Sequence, residues 1–466
     1  MKILYLSILL WFISIGAAAQ DCPTENVVLT SQEQVDSFAI KYPDCTAVDV
    51  RITVGPSQDI INLDGLANLS VVGILFVGGN EALRSIAGLT NLESAEVITF
   101  SQNPLMQNLE GLENLHTVST AFSVITNRSL KDISAVSNID SLGLVYIRFN
   151  DSLEQIVGFD NIKTLDHFYI DFNTSLELFD AFHNVREIED DLTIETSSNL
   201  TDFSGFGQLA HLGNLNIVAN PRLRHVPTFS SLLSVERLQI QNNDSLQTIE
   251  GFDVLDVISK QFSISENRQL QEIDAFASLD TIREFTMNGL HSLNNLGTFE
   301  SLKYIGGGLR ILNNSTLEDI SGLANVDPAS VDSLRIVSNP MLSECNNEFL
   351  CNYIDTSLLT TIGNNAINCN SIDEVRMSCL TATDEVDHLL TAISIYPNPA
   401  SESISLSLGN VPLAADNIAI YTLTGKPCGT VPLGMHSIDV SALLSGLYIA
   451  IVTTDAGQIP VKFHKL

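Results

Sequence analysis

Leu215-Asn216-Ile217-Val218-Ala219-Asn220-Pro221-Arg222-Leu223 decides the fold. It reads apolar, x, apolar, x, x, Asn, x, x, Leu, and the same pattern recurs through residues 50–342. The asparagine slot falls at Ser57, Asn80, Asn103, Asn127, Asn150, Asn173, Ser197, Asn220, Asn243, Asn267, Leu290, Asn314 and Asn339, in steps of 23 to 25 residues. A fixed period in this range means a solenoid. One winding is too small to bury its own apolar face, so stacking on its neighbours must supply the core.

Within each winding, two apolar residues sit three and five places before the slot: Val145 and Ile147, Phe168 and Ile170, Leu238 and Ile240, Leu309 and Ile311. That alternation predicts a short strand with one face buried, and stacked windings place these strands in a parallel sheet. Beyond the slot, apolar residues return every third position, as in Leu246, Ile249, Phe252, Leu255 and Ile258. A three-residue step predicts 3₁₀-like or extended corners instead of a long helix. An asparagine where the chain leaves the strand can donate to and accept from backbone groups of adjacent windings, so stacked asparagines predict a buried ladder. Leu290 interrupts it, which predicts a local irregularity around Asn288-Gly289-Leu290. Glycines before an apolar corner (Gly65, Gly88, Gly111, Gly158, Gly205, Gly251, Gly322) predict tight turns.

The L-x-I-x-x-N-x-x-L core with this period resembles leucine-rich repeats, and Phe or Leu at the ninth position after the slot looks most like the receptor L domain of insulin- and epidermal-growth-factor-type receptors. The resemblance covers about residues 50–342 and specifies fold, not ligand. Receptor signalling does not carry over, because there are many more windings than in one L domain and no furin-like cysteine-rich module. The expected class is mainly β: a leucine-rich-repeat-like parallel β solenoid of about 13 coils with disulfide-bearing caps, plus a small C-terminal β-sandwich.

The organisation expected around the solenoid (51–342) begins with a signal peptide at 1–19. It has Lys2, the apolar run Ile3 to Ile15 and the small residues Ala17-Ala18-Ala19. An N-terminal cap (20–50) follows, with a short helix over Ser31 to Ile40 that turns Val35, Phe38 and Ala39 to one side. After the repeats come a cysteine-containing C-terminal cap (343–379) and a linker (380–392). Seven cysteines in an exported chain can oxidise. Cys22 with Cys45 would close the N-terminal end. Cys345, Cys351, Cys369 and Cys379 allow three pairings, among which the sequence does not choose. A zinc site is the rival reading, disfavoured by wide spacings and the lack of a histidine among them; Cys428 is left over. With 55 Asp and Glu against 22 Lys and Arg, the formal charge is -33. That field repels phosphate backbones and anionic headgroups, which excludes nucleic acid as a partner. No later run of about 18 apolar residues predicts a membrane span.

Residues 393–466 read as a separate β domain of roughly seven short strands, suited to a sandwich. Tyr396-Pro397-Asn398-Pro399, Ile420-Tyr421-Thr422-Leu423-Thr424-Gly425-Lys426, Ser445-Gly446-Leu447-Tyr448 and Val461-Lys462-Phe463 resemble the type A C-terminal sorting domain of the type IX secretion system. The resemblance implies a sorting signal carried by Tyr396, Pro397, Asn398, Pro399, Gly425, Gly446, Tyr448, Lys462 and Phe463. It also implies a partner in the type IX secretion machinery and passage through the periplasm to the outer cell surface or medium.

No catalytic signature is present: there is no H-E-x-x-H, no G-x-S-x-G, no phosphate-cradling glycine loop and no cysteine–histidine pair. No metal and no cofactor are expected. The scattered His116, His183 and His211 fall at corner positions. The residues two, four and six places before each slot should point outward from the sheet. At the central position most are small or polar, whereas two adjacent coils offer Tyr146 and Arg148, then His167, Tyr169 and Asp171. Aromatic rings flanked by charge are a reasonable anchor for an unknown protein or glycan ligand. Phe149 and Phe172, directly before the slot, are expected to fold inward. The leading reading is therefore a secreted or cell-surface, non-enzymatic, adhesin-like binding protein. A polysaccharide lyase or hydrolase on a parallel β-helix and a passive surface scaffold are the alternatives.

Overall fold

A computed structural model describes residues 21–354, 359–381, 393–408, 411–412, 417–432, 438–454 and 457–466. The expected signal peptide and most of the expected linker lie outside these residues. The chain divides into two compact units, residues 1–163 and 164–466. The division falls inside the repeats, and each unit carries its own stack of parallel strands.

In the first unit, Val27–Leu29, Ala47–Val54, Val71–Gly78, Ser94–Ser101, Thr117–Ile125 and Ser141–Arg148 pair in parallel, each with the next. The edge strand and the start of the second strand lie inside the stretch expected to be only a cap. The helix Gln32–Lys41 is N-capped by Ser31 and buries Val35 and Phe38, as the sequence pattern requires. Cys22–Cys45 ties the end.

In the second unit, the ladder runs from His167–Asp171 through Glu187–Glu195, His211–Val218, Ser234–Gln241, Val257–Ser265, Thr281–Asn288, Gly308–Leu312 and Ser333–Val337. One more strand, Leu359–Gly363, pairs with Ser333–Val337. Asn365 follows it and accepts from the backbone N–H of Asn339 at 2.9 Å. The stretch expected to be only a cap therefore contains a further winding with its own slot. Cys345–Cys369 and Cys351–Cys379 are the pairs that form there.

The asparagines form the expected ladder, and it runs one way. Beyond Asn80, whose Oδ1 is buried without a partner while the Ser57 N–H donates to Gly79 O, amide oxygens accept from the N–H of the preceding slot, as in Asn220 to Asn243 at 3.0 Å and Asn103 to Asn127 at 3.0 Å. Each amide nitrogen donates to the carbonyl three residues before that preceding slot: Asn243 to Ile217 at 2.9 Å, Asn127 to Phe100 at 3.0 Å. The residue before the slot has a positive φ from Gly79 onward, including Gln102, Phe149, Ala219, Glu266 and Asn313. Leu290 does not disturb the backbone. Strand register holds from Phe285↔Leu309 to Asn288↔Leu312, Gly289 keeps the positive φ, and the Leu290 N–H donates to Asn314 at 3.0 Å. The expected irregularity shrinks to one missing amide, because a slot receives from its successor whatever its own side chain is.

Corners are of two kinds. Asp64–Leu66, Ala87–Leu89, Ser134–Val136, Gly297–Phe299 and Ser321–Leu323 are 3₁₀ turns. At extended corners, Phe159, Phe182, Phe206 and Phe276 take positive φ. The glycines accordingly serve two needs. Gly205 has φ +119°, as a tight turn demands. Gly322 does not; a Cβ there would lie 1.8 Å from the carbonyl oxygen of Leu296 in the coil before, so close approach of coils excludes any larger residue. Inside the second unit, a column of rings runs Phe182, Phe206, Phe229, Phe252, Phe276, Phe299, each stacked on the next at 5.1–6.3 Å.

At three of the four 24-residue slot steps the extra residue sits in a continuous strand as a β-bulge; at the fourth, Leu290 to Asn314, it falls between the strands Tyr304–Ile305 and Gly308–Leu312. Register shifts place these bulges at residues 119–120, 189–190 and 259–260. They recur every third coil.

The described C-terminal residues form two four-stranded antiparallel sheets. One contains Ile393–Tyr396, Ser403–Leu408, Val411–Pro412 and Ile438–Asp439. The other runs Pro427–Pro432, Asn417–Thr422, Gly446–Thr454, Gly457–Lys465. Ile404, Ile420, Tyr448, Ala450, Val452 and Phe463 are among the residues that fill the core.

Candidate functional site

Inward residues of the sheets are sealed; Val145, Ile147, Phe168, Ile170, Leu215 and Ile217 are fully buried. On the opposite side of the strands alternate side chains project from the sheets.

In the first unit this outward side is largely apolar. Ile74, Val97, Ala121 and Leu144 lie opposite one another in register, all half-buried. Beside them run Thr53, Phe76, Thr99, Ser123 and Tyr146. The Arg51 guanidinium lies over the Phe76 ring at 5.3 Å, and that of Arg148 over Phe149 at 5.6 Å. Tyr146 and Arg148 are half-buried on this face, as expected.

In the second unit the outward side is polar. Consecutive partners along the central row are Tyr169, Thr193, Asn216, Gln239, Ser263 and Thr286. The flanking row runs Asp191, Asn214, Arg237, Gln261 and Glu284. Several of these side chains fix one another. Asp191 accepts from the Tyr169 hydroxyl at 3.2 Å and from Asn214 Nδ2 at 2.8 Å. Asn216 Nδ2 donates to Thr193 Oγ1 at 3.1 Å, and Gln239 Nε2 to Gln241 Oε1 at 2.6 Å. His167 is tilted against Tyr169, with ring centroids 6.4 Å apart; its Nε2 lies 3.1 Å from Asp190 and its Nδ1 3.5 Å from Asp191.

Two expectations need correction. Asp171 is only 3 % exposed, so it cannot serve as an open charged fork; a short side chain between strands about 4.8 Å apart sinks below its longer neighbours. Phe149 and Phe172 do not fold inward. They are 39 % and 38 % exposed, because positive φ at the residue before the slot turns Cβ away from the interior. Asp191 and Asn214 were missed, since the bulge at 189–190 hides their alignment with His167. The 24-residue step between Asn173 and Ser197 was the available signal.

The motif residues of the C-terminal domain mainly hold its sandwich together. Asn398 Oδ1 accepts from the His464 N–H at 2.9 Å, joining the first loop to the last strand. Tyr448 stacks on Phe463 at 5.7 Å and donates its hydroxyl to Leu444 O at 2.9 Å. Gly425 turns at φ +76°, and Gly446 opens the strand that pairs with Lys465. Tyr396, Pro397, Asn398, Pro399 and Lys462 are exposed. Cys428 is exposed and free.

Among the described residues no group of three or more His, Cys, Asp or Glu side chains could hold a metal ion, and no helix is long and apolar enough to cross a membrane. No curated protein matches the chain. Among solved structures, a leucine-rich repeat protein from Bacteroides ovatus ATCC 8483 is similar at 14% identity, over 66% of this chain and 78% of that one, with a TM-score of 0.26. Residues 394–465 match the family described as the secretion system C-terminal sorting domain. The chain thus carries the type IX sorting domain, which engages that secretion machinery and directs its cargo to the cell surface or beyond.

Proposed function

We propose that this is a non-enzymatic, adhesin-like binding protein that recognises a protein or glycan through the outward face of its parallel sheets. The observation that supports it is the contrast between the two sides of every strand. Inward residues are spent on the core, while most outward ones stay half-exposed, and coils of 23 to 26 residues leave no room for inserts that would cover them. A sorting domain for surface export suits such a role.

A pull-down from a cell lysate is less decisive than direct binding. Immobilised exported protein should show saturable binding to at least one soluble protein or polysaccharide, reduced by substitutions on an outward face and not by corner substitutions such as His116→Ala. The absence of any saturable ligand would favour a passive scaffold. Turnover of an acidic polysaccharide, abolished by Arg148→Ala, would favour the enzyme reading.

A further inference from the structure

The outward row of the second unit is not level. At the bulged coils the central residue is a small hydroxyl, sunk between its neighbours: Thr193 is 4 % exposed and Ser263 7 %. Around Thr193 this makes a notch. Tyr169 lies on the strand to one side and Asn216 on the strand to the other. Asp191 and Asn214 line the adjacent row, with His167 against Tyr169.

The chemistry of this notch differs from that of its counterparts. Ser123, the sunk hydroxyl of the first unit, is flanked by the apolar row Val97, Ala121 and Leu144. Only at Thr193, among the described residues, do an aromatic ring, a carboxylate and two side-chain amides meet around a sunk hydroxyl. The Tyr169 hydroxyl and Asn214 amide orient Asp191, and Asn216 is oriented by Thr193. A carboxylate has about four acceptor positions; with two taken and His167 Nδ1 3.5 Å away, about one remains for a ligand, and Asn216 retains one N–H and its carbonyl oxygen.

We infer that this notch binds a neutral sugar unit of a glycan, an inference that rests on the outward-face reading above. Three arguments select that ligand. Sugar hydroxyls both donate and accept, and the notch offers both kinds of partner, the second N–H groups of Asn214 and Asn216 beside the Asp191 carboxylate and the Asn216 carbonyl oxygen, whereas an ammonium group needs acceptors alone. The flat C–H face of a pyranose packs on an aromatic ring such as Tyr169. Asp190, Asp191 and Glu195, in a chain of formal charge -33, oppose uronic or sulfated units. Neutrality is thus selected by the field, and hydroxyl geometry by the oriented amides.

The test uses the full exported protein and calorimetric titration with soluble glucan, mannan, xylan and galactan, polygalacturonate, and a lysine-rich peptide. At least one neutral polysaccharide should bind. Asn216→Ala and Tyr169→Ala should each weaken it at least tenfold, and the corner substitution His116→Ala should leave it within twofold. Asn216→Gln, with an unchanged thermal transition, guards against loss through misfolding. Binding of polygalacturonate or the peptide in place of neutral glycans overturns the inference, as does neutral binding indifferent to Asn216 and Tyr169. If a protein ligand is captured on an outward face and no neutral glycan binds, the inference fails while the broader reading stands. If nothing binds, both fail.

Discussion

Single residues explain why the windings stack so uniformly. Asn243 satisfies two buried backbone groups of the coil before it, the Asn220 N–H and the Ile217 carbonyl. Each orphaned group costs about 1–3 kcal/mol, so Asn243→Ala should destabilise the protein by roughly 2–4 kcal/mol in chemical denaturation. Leu290→Asn should behave differently from other core Leu→Asn changes. It gives up roughly 1.5–3 kcal/mol of burial but supplies the missing rung, with two hydrogen bonds of about 0.5–1.5 kcal/mol each. Its measured cost should stay within about 1.5 kcal/mol of wild type, whereas Leu293→Asn, buried at a corner with no rung to fill, should cost more than about 3 kcal/mol. Surface charge contributes less. A hydrogen bond from Lys303, 2.6 Å away, holds the Asp280 carboxyl below its usual range. The stabilisation from a depressed carboxyl is present above its unfolded value and fades as pH falls through the folded one. NMR titration should therefore show Asp280 returning toward the ordinary value in Lys303→Met, with any stability difference from wild type disappearing at strongly acidic pH.

At the scale of elements, the corner residue chosen by each coil sets its geometry. The stacked column makes Phe252 part of a continuous ring core, so Phe252→Ala should cost about 3–5 kcal/mol in thermal or denaturant unfolding. The exposed Phe149→Ala should change stability by no more than about 0.5 kcal/mol. The strands and slots were readable because a period-two apolar pattern and a buried amide leave a residue-type signature. The positive φ before each slot was not, since Gln, Thr, Phe, Ala, Glu and Asn all adopt it there and residue type carries no trace. The winding at Asn365 hid behind a 26-residue step and intervening cysteines, though Thr361-Ile362-Gly363-Asn364-Asn365 repeats the strand-to-slot motif. The face bearing Tyr169 and His167 was legible from alternation. The Asp191–Asn214 pairing was not, because it depends on where a bulge places the extra residue.

For the whole molecule, both ends of the repeats are sealed by covalent means. At the C-terminal end, Cys345–Cys369 closes the last winding and Cys351–Cys379 ties the helix Glu348–Tyr353 to the helix Ile372–Thr381. Replacing Cys351 and Cys379 together by serine should lower stability by about 2–4 kcal/mol in urea unfolding. The loss should be concentrated in amides near Asn339 and Asn365 by hydrogen exchange, because local opening starts where contacts are fewest. The acidic charge and the sorting domain belong to the same picture of an exported chain, with a surface that resists nonspecific polyanion binding.

The one-way ladder makes the two ends of the repeats inequivalent. A coil taken without the one after it holds its own apolar side chains but lacks the acceptor for its slot N–H, which the next coil supplies. Most windings are therefore completed by the one that follows in the chain, Asn267 being an exception because Leu290 offers no amide. Trimming the array from its C-terminal side would strand a backbone donor, while trimming it from the other side would leave only a spare asparagine.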